Sequence, residues 1–256
     1  AWKESLYYKG VSLYNAGYNP IYFGLLNGFR AHYDKENVFS LKGIDYRRKG
    51  IIIDRIIYSA IFYKSQLVNL LPPTNYRYDK LGKTALVIRG ASNRTGFPVI
   101  MSLKDEFGWN VLIASWNLRI KKIVKNMNLD YINIKSIYRN KYKALMDFHI
   151  NRISKLMNRL DFYVFAESLS EYSGCEITYD AKNLISMNFA HASVLIDLYK
   201  DLFTKINPQI LILFNESTLP DRTAALVGKS ESIPSVFVQH GVLMGHVYRD
   251  MATDYA

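Results

Sequence analysis

Residues 208–241, PQILILFNESTLPDRTAALVGKSESIPSVFVQHG, admit few folds. Residues 210–214 are a short, continuous apolar run, the pattern of a strand buried on both faces. Asn215, Glu216, Ser217 and Thr218 follow at its carboxyl end. Pro220 stands where a helix would start, with Asp221 in its first turn, where a carboxylate suits the positive end of the helix dipole. Ala224, Ala225 and Val227 carry that helix, and Gly228 is expected to end it. Ile233 and Pro234 make a turn, residues 235–238 form a second strand, and Gln239, His240 and Gly241 are its tip. Two parallel strands joined by a helix require a right-handed crossover, so both polar tips lie along one edge of the sheet. That edge is where doubly wound folds bind ligands.

Strand–helix alternation continues upstream. Residues 84–88 read as a strand, 97–107 as a helix ended by Gly108, 110–114 as a strand, about 118–127 as a helix and 131–134 as a strand. A long amphipathic helix follows over 140–160, through Leu145, Phe148, Ile153, Leu156 and Leu160. Residues 162–166 offer a further strand. Ile185, Phe189, Ala192, Ile196, Tyr199 and Phe203 form the stripe of the next helix. The pattern predicts an α/β fold, a doubly wound, mostly parallel Rossmann-like sheet of about five to seven strands with helices on both faces.

Residues 1–80 read differently, as a helical N-terminal extension to an α/β domain over 81–256. Leu6, Leu13 and Tyr14 have weak helical spacing, interrupted by Gly17, Asn19 and Pro20, and a second weak helix covers residues 21–32. Ile53, Ile57, Ile61, Lys64, Val68 and Leu71 recur at three- and four-residue spacing, a helix stopped by Pro72 and Pro73. Asp54, Arg55 and Lys64 break its apolar run, which argues against a membrane span. It packs on its own domain or lies on a membrane surface. Residues 72–83 read as a polar linker.

The 256 residues carry a net charge of +11, which points to an anionic partner: nucleic acid, a membrane surface or phosphorylated substrates. A basic background would produce the same excess. Cys175 is the one cysteine, so an internal disulfide framework and a multi-cysteine zinc site are excluded, and a reducing cytosol fits. No signal peptide is visible, and a first residue of Ala1 rather than Met is expected of a trimmed chain or a fragment.

Two stretches carry candidate chemistry. The loop over residues 89–96 joins a strand to a helix and holds Arg89, Gly90, Ser92, Arg94, Thr95 and Gly96. Backbone N–H groups at a helix start, with arginines beside them, make an anion site. The spacing matches neither the dinucleotide fingerprint nor the Walker loop, and an ordinary solvated turn fits it equally. His240 stands between a strand end and Gly241, placed to act as a base or to bond a phosphate or sugar hydroxyl; the alternative is a histidine that ties down its loop. Glu216 could orient that imidazole, bind a substrate hydroxyl or cap a helix. His246 has no metal spacing to His240. His32, His149 and His191 fall in helical stretches, where solvated or packed roles are expected.

The run IPSVFVQHG, followed by Tyr248 and Arg249 and by ATDYA at 252–256, resembles the end of the N-terminal domain in GT-B glycosyltransferases. It is most similar to enzymes of capsule and surface polysaccharide assembly, Kdo transferases and glycerophosphotransferases among them. The resemblance covers mainly residues 208–256, with agreement in strand pattern from Thr84 onward. It implies transfer of a sugar from a nucleotide donor to an acceptor hydroxyl; no residue pattern in the chain calls for a metal or cofactor. His240 would be base or ligand, Glu216 its partner, and residues 89–96 with Gln239 and Gly241 substrate contacts. In such enzymes the second domain holds the nucleotide, so this chain would supply the acceptor-side half of the cleft, with the second domain absent. The implied partners are a nucleotide sugar and a glycan or lipid-linked acceptor, with peripheral contact to an anionic membrane and a cytoplasmic location. A non-catalytic Rossmann-like binding module and a basic nucleic-acid-binding protein are the competing readings.

Overall fold

Among the described residues, five parallel strands form the framework. The computed structural model describes residues 6–16, 78, 81–88, 96–115, 120–159, 164, 167, 181–214, 218–238 and 254. An antiparallel hairpin comes first, β1 (Tyr7–Tyr8) and β2 (Val11–Ser12). The main sheet is built from β3 (Thr84–Ile88), β4 (Asn110–Ser115), β5 (Asp130–Asn133), β6 (Ile210–Leu213) and β7 (Ser235–Phe237). The helices are α1 (Gly96–Asp105), α2 (Ile120–Asn126), α3 (Ile134–Ile137), α4 (Arg139–Arg159), α5 (Ala181–Ile206) and α6 (Leu219–Ser230). The strand order is β5-β4-β3-β6-β7, every pairing parallel.

The chain runs outward from β3 to β5, returns through α4 and α5 to the other side of β3, and then runs outward to β7. Crossovers of constant hand require the helices to change faces when the direction of travel reverses. They do. Ala85, Val87, Val111, Ile113, Ile212 and Phe214 pack with Phe97 and Ile100 of α1 and Val124 of α2. Leu86, Ile88, Leu112, Ala114, Leu211 and Leu213 pack on the opposite face with Ile153 of α4, Phe189, Ile196 and Tyr199 of α5, and Ala224 of α6. Alternate residues of each central strand thus enter separate cores, which is why these strands read as unbroken apolar runs.

Several local expectations are corrected. Residues 7–12 form a hairpin where helical spacing was read. Lys9 (φ 48°) and Gly10 (φ 81°) supply the two left-handed residues of a tight two-residue turn, and among the described residues 6–16 the helical ones are 13–16. Leu6, Val11, Leu13 and Ala16 are buried in the same core as α4 to α6. Val164 is helical rather than extended, and the other residues of the strand expected over 162–166 lie outside the described residues. On α4, Phe148 is exposed, whereas the neighbouring His149 is fully buried and takes the inward position that the stripe assigned to phenylalanine. Asp254 is a bend. Its N–H donates to the Ser235 carbonyl, and its carboxylate accepts from the Ser235 N–H at 2.9 Å, which lays it against β7. The helices expected over 21–32 and 51–71 and the boundary placed at 72–83 lie largely outside the described residues.

Gly228 does not end its helix; α6 continues to Ser230. The glycine serves close approach instead. A Cβ there would stand 2.4 Å from Leu211 Cδ1 and 3.3 Å from the Ile233 carbonyl oxygen. Leu211 is fully buried and cannot swing into solvent. Alanine would gain about 1 kcal/mol of helix propensity, but overpacking a dense core costs about 1–3 kcal/mol. Gly228→Ala is therefore expected to lower stability by about 1 kcal/mol in urea unfolding, and Gly228→Val by more. A stabilised alanine variant would show that α6 can lift off β6 freely.

Candidate functional site

The strand order reverses between β3 and β6, so the crevice beyond their carboxyl ends is the ligand position of a doubly wound sheet. The exits are level. Val87 is in register with Ile212, and Leu213 with Phe237. Pairing continues one residue further, where the Val238 N–H donates to the Leu213 carbonyl at 2.8 Å. With neighbouring strands about 4.8 Å apart, the ends of β3 and β7 are separated by roughly 10 Å. From these level ends the chain passes into residues 89–95, 215–217 and 239–241.

Of the residues singled out from sequence, Gly96 is described: it is buried and opens α1. Arg89, Gly90, Ser92, Arg94, Thr95, Glu216, Gln239, His240 and Gly241 lie outside the described residues. The architecture sets the exits of their three segments side by side.

Described groups flank the crevice. Thr218 is the N-cap of α6, with extended backbone (φ −97°, ψ 147°). Its hydroxyl donates to the Asp221 carboxylate rather than receiving a backbone N–H. Asp221 is almost completely buried in that first turn, near the positive end of the helix. The outer strand closes on itself instead. Asn133 Oδ1 accepts from the Ser136 N–H at 3.0 Å as the N-cap of α3, and its Nδ2 donates to the Tyr131 hydroxyl at 3.2 Å. Ser115, buried at the end of β4, extends that strand one residue past the Ala114 boundary read from sequence.

No family model, curated protein or solved structure matches the chain.

A second polar cluster, shared by the N-terminal hairpin, α4 and α5, escaped the sequence reading. Asp197 of α5 accepts from the Tyr8 hydroxyl (3.0 and 3.1 Å), Lys9 Nζ (2.6 Å) and His149 Nε2 (2.7 Å). Arg152 lies 4.3 Å over the Tyr8 ring and donates to the Ser193 hydroxyl at 2.8 Å. Burial acts to raise the Asp197 pKa, but the hydrogen bonds from His149, Lys9 and Tyr8 outweigh it and hold the carboxyl below its ordinary value. Burial, with the Asp197 charge, pushes the Tyr8 hydroxyl up, and the bond to Asp197 raises Lys9. His149 Nδ1 has no hydrogen-bond partner among the described residues. Arg222 of α6 adds a further tie, donating from Nε to the Asn15 carbonyl at 2.5 Å. These contacts fasten the N-terminal hairpin to three helices. The local signals were a histidine at an inward position of α4 and an aspartate beside the apolar stripe of α5. Their common partner, Tyr8, is too distant in sequence for any periodicity to show.

Among the described residues, no group of histidine, cysteine, aspartate and glutamate is placed to hold a metal ion, and no helix is long and apolar enough to cross a membrane.

Proposed function

We propose that the chain is a glycosyltransferase domain that moves a sugar from a nucleotide donor to an acceptor hydroxyl in surface polysaccharide or glycan synthesis. One observation carries this reading. The switch point of a parallel 5-stranded sheet lies where the chain enters the segments RGASNRT and NES, and QHG follows the neighbouring strand β7. Parallel sheets bind phosphorylated ligands at such an edge, and these segments hold the arginines, hydroxyls, carboxylate and imidazole that the chemistry needs. The resemblance of residues 208–256 to the acceptor-side domain of GT-B enzymes supports the same assignment.

In this reading His240 takes the proton of the acceptor hydroxyl as its oxygen bonds to the anomeric carbon of the donor. The bond from that carbon to the phosphate oxygen breaks, and the nucleotide leaves with the electron pair. Glu216 orients the imidazole. Arg89 and Arg94, with the backbone N–H groups of Gly90 and Gly96 and the hydroxyls of Ser92 and Thr95, offset negative charge. Gln239 and Gly241 shape the acceptor side. The acceptor is a glycan or a lipid-linked glycan, and the reaction belongs on the cytoplasmic side of a membrane.

The test is a transfer assay with the natural protein, a panel of uridine, guanosine and cytidine nucleotide sugars, and glycan or lipid-linked acceptors. Nucleotide release matched by sugar incorporation is the expected result. The charge of +11 motivates the rival reading, nucleic-acid binding. No turnover, together with RNA or DNA binding that weakens steeply with salt, would select that rival. Donor or acceptor binding with no turnover would select a non-catalytic module.

A further inference from the structure

We infer that the outer face of α4, together with the tip of the N-terminal hairpin, is a docking surface for an anionic lipid bilayer. Lys141, Phe148 and Lys155 are spaced by seven residues, close to two helical turns, and so lie along one line of α4. All three are exposed, Phe148 by 59%. Between residues 141 and 158 the helix carries Lys141, Lys143, Arg152 and Lys155 against the single carboxylate Asp147, which stands about 100° round the helix from Phe148.

The hairpin extends this surface. The fully buried His149 ring contacts Phe148 (5.0 Å between centroids) and Tyr8 (4.9 Å), so the hairpin lies beside the exposed phenylalanine. Lys9 at its tip is half-exposed, and Tyr7 is 54% exposed. Asp197, the carboxylate beneath the tip, is already paired with Lys9 and His149. Lys9 and Asp197 offset each other, so the positive charge of the patch comes from Lys141 and Lys155, with aromatic side chains standing out beside them. An aromatic ring flanked by lysines is the arrangement that enters the headgroup region of an anionic bilayer, with the lysines at the phosphates. Binding to a nucleic-acid backbone would use the lysines and leave the phenylalanine without a role.

The test reads no enzymatic activity, so its failure leaves the glycosyltransferase reading untouched. The full chain is floated with phosphatidylcholine vesicles, with and without phosphatidylglycerol, at low and high salt. Flotation is expected only with phosphatidylglycerol and should fall with salt. Each of Lys141→Gln and Lys155→Gln should weaken partitioning about five-fold, and the pair about twenty-fold. Phe148→Ala should weaken it several-fold with an unchanged circular dichroism spectrum. No dependence on phosphatidylglycerol would overturn the inference. So would flotation that these variants leave intact but charge reversal at Arg55 and Lys64 abolishes. Binding to RNA without flotation would overturn it as well.

Discussion

Asp197→Ala is expected to destabilise the protein by about 2–4 kcal/mol, with the loss centred on the docking of the N-terminal hairpin. Removing one partner of a buried charge network costs about 3–5 kcal/mol, because the remaining groups stay buried without their acceptor. His149 has no exposure and would keep neither of its ring nitrogens bonded among the described residues. Lys9 is half-exposed, so its share is small, and Lys9→Ala should cost under about 1 kcal/mol. Asp197→Asn retains an acceptor oxygen and should fall between the two. Urea unfolding measures all three, and amide exchange at residues 6–16 locates the loss. Equal effects of Lys9→Ala and Asp197→Ala would contradict this account.

The same network has a pH signature. The folded-state pKa of Asp197 is depressed, so its stabilisation is fully present above the ordinary carboxylate value, near about 4. It is lost as pH falls through the lower folded value. Wild type should therefore lose stability more steeply than Asp197→Asn below about pH 4, and the two curves should run parallel near neutrality. Divergence near neutral pH instead would point to another group.

What the sequence reveals divides along the range of the interactions. The strands β3, β4 and β6 are continuous apolar runs because both faces of the sheet are covered, and that burial is a local pattern. The stripe of Ile185, Phe189, Ala192, Ile196, Tyr199 and Phe203 is likewise legible, and each of these residues is buried on α5. The hairpin was not. Leu6, Leu13 and Tyr14 have spacing compatible with a helix, and what decides against one across residues 7–12 is the left-handed pair Lys9 and Gly10 together with a docking site more than a hundred residues away. Phe148 and His149 exchanged roles for a related reason. Hydrophobicity assigns phenylalanine to the core, but an aspartate on α5 and a tyrosine on β1 give the histidine two inward partners, and neither is visible from α4 alone. Gly228 read as a helix stop because glycine usually ends helices; the constraint is a leucine on a neighbouring strand. The edge of the sheet was legible from strand–helix alternation, since consecutive parallel strands must end on the same side. The switch point was not, because it depends on β6 pairing with β3 rather than with β5.

His240→Ala is the substitution with the largest expected effect on function. Val238, two residues before it, still pairs with β6, so His240 follows directly from a strand end beside the switch point. If it is the general base proposed above, it should contribute about 10²–10⁴-fold to turnover. Glu216→Gln, acting through the imidazole, should cost less and shift the pH–rate profile. A histidine that only binds the acceptor would raise KM and spare kcat, whereas a base lowers kcat with KM little changed. The decisive measurement is steady-state sugar transfer by the His240→Ala variant of the natural protein, with its circular dichroism spectrum and unfolding midpoint recorded alongside. The account predicts kcat reduced by at least about a hundred-fold in a folded protein. Wild-type kcat and KM in that variant would contradict it.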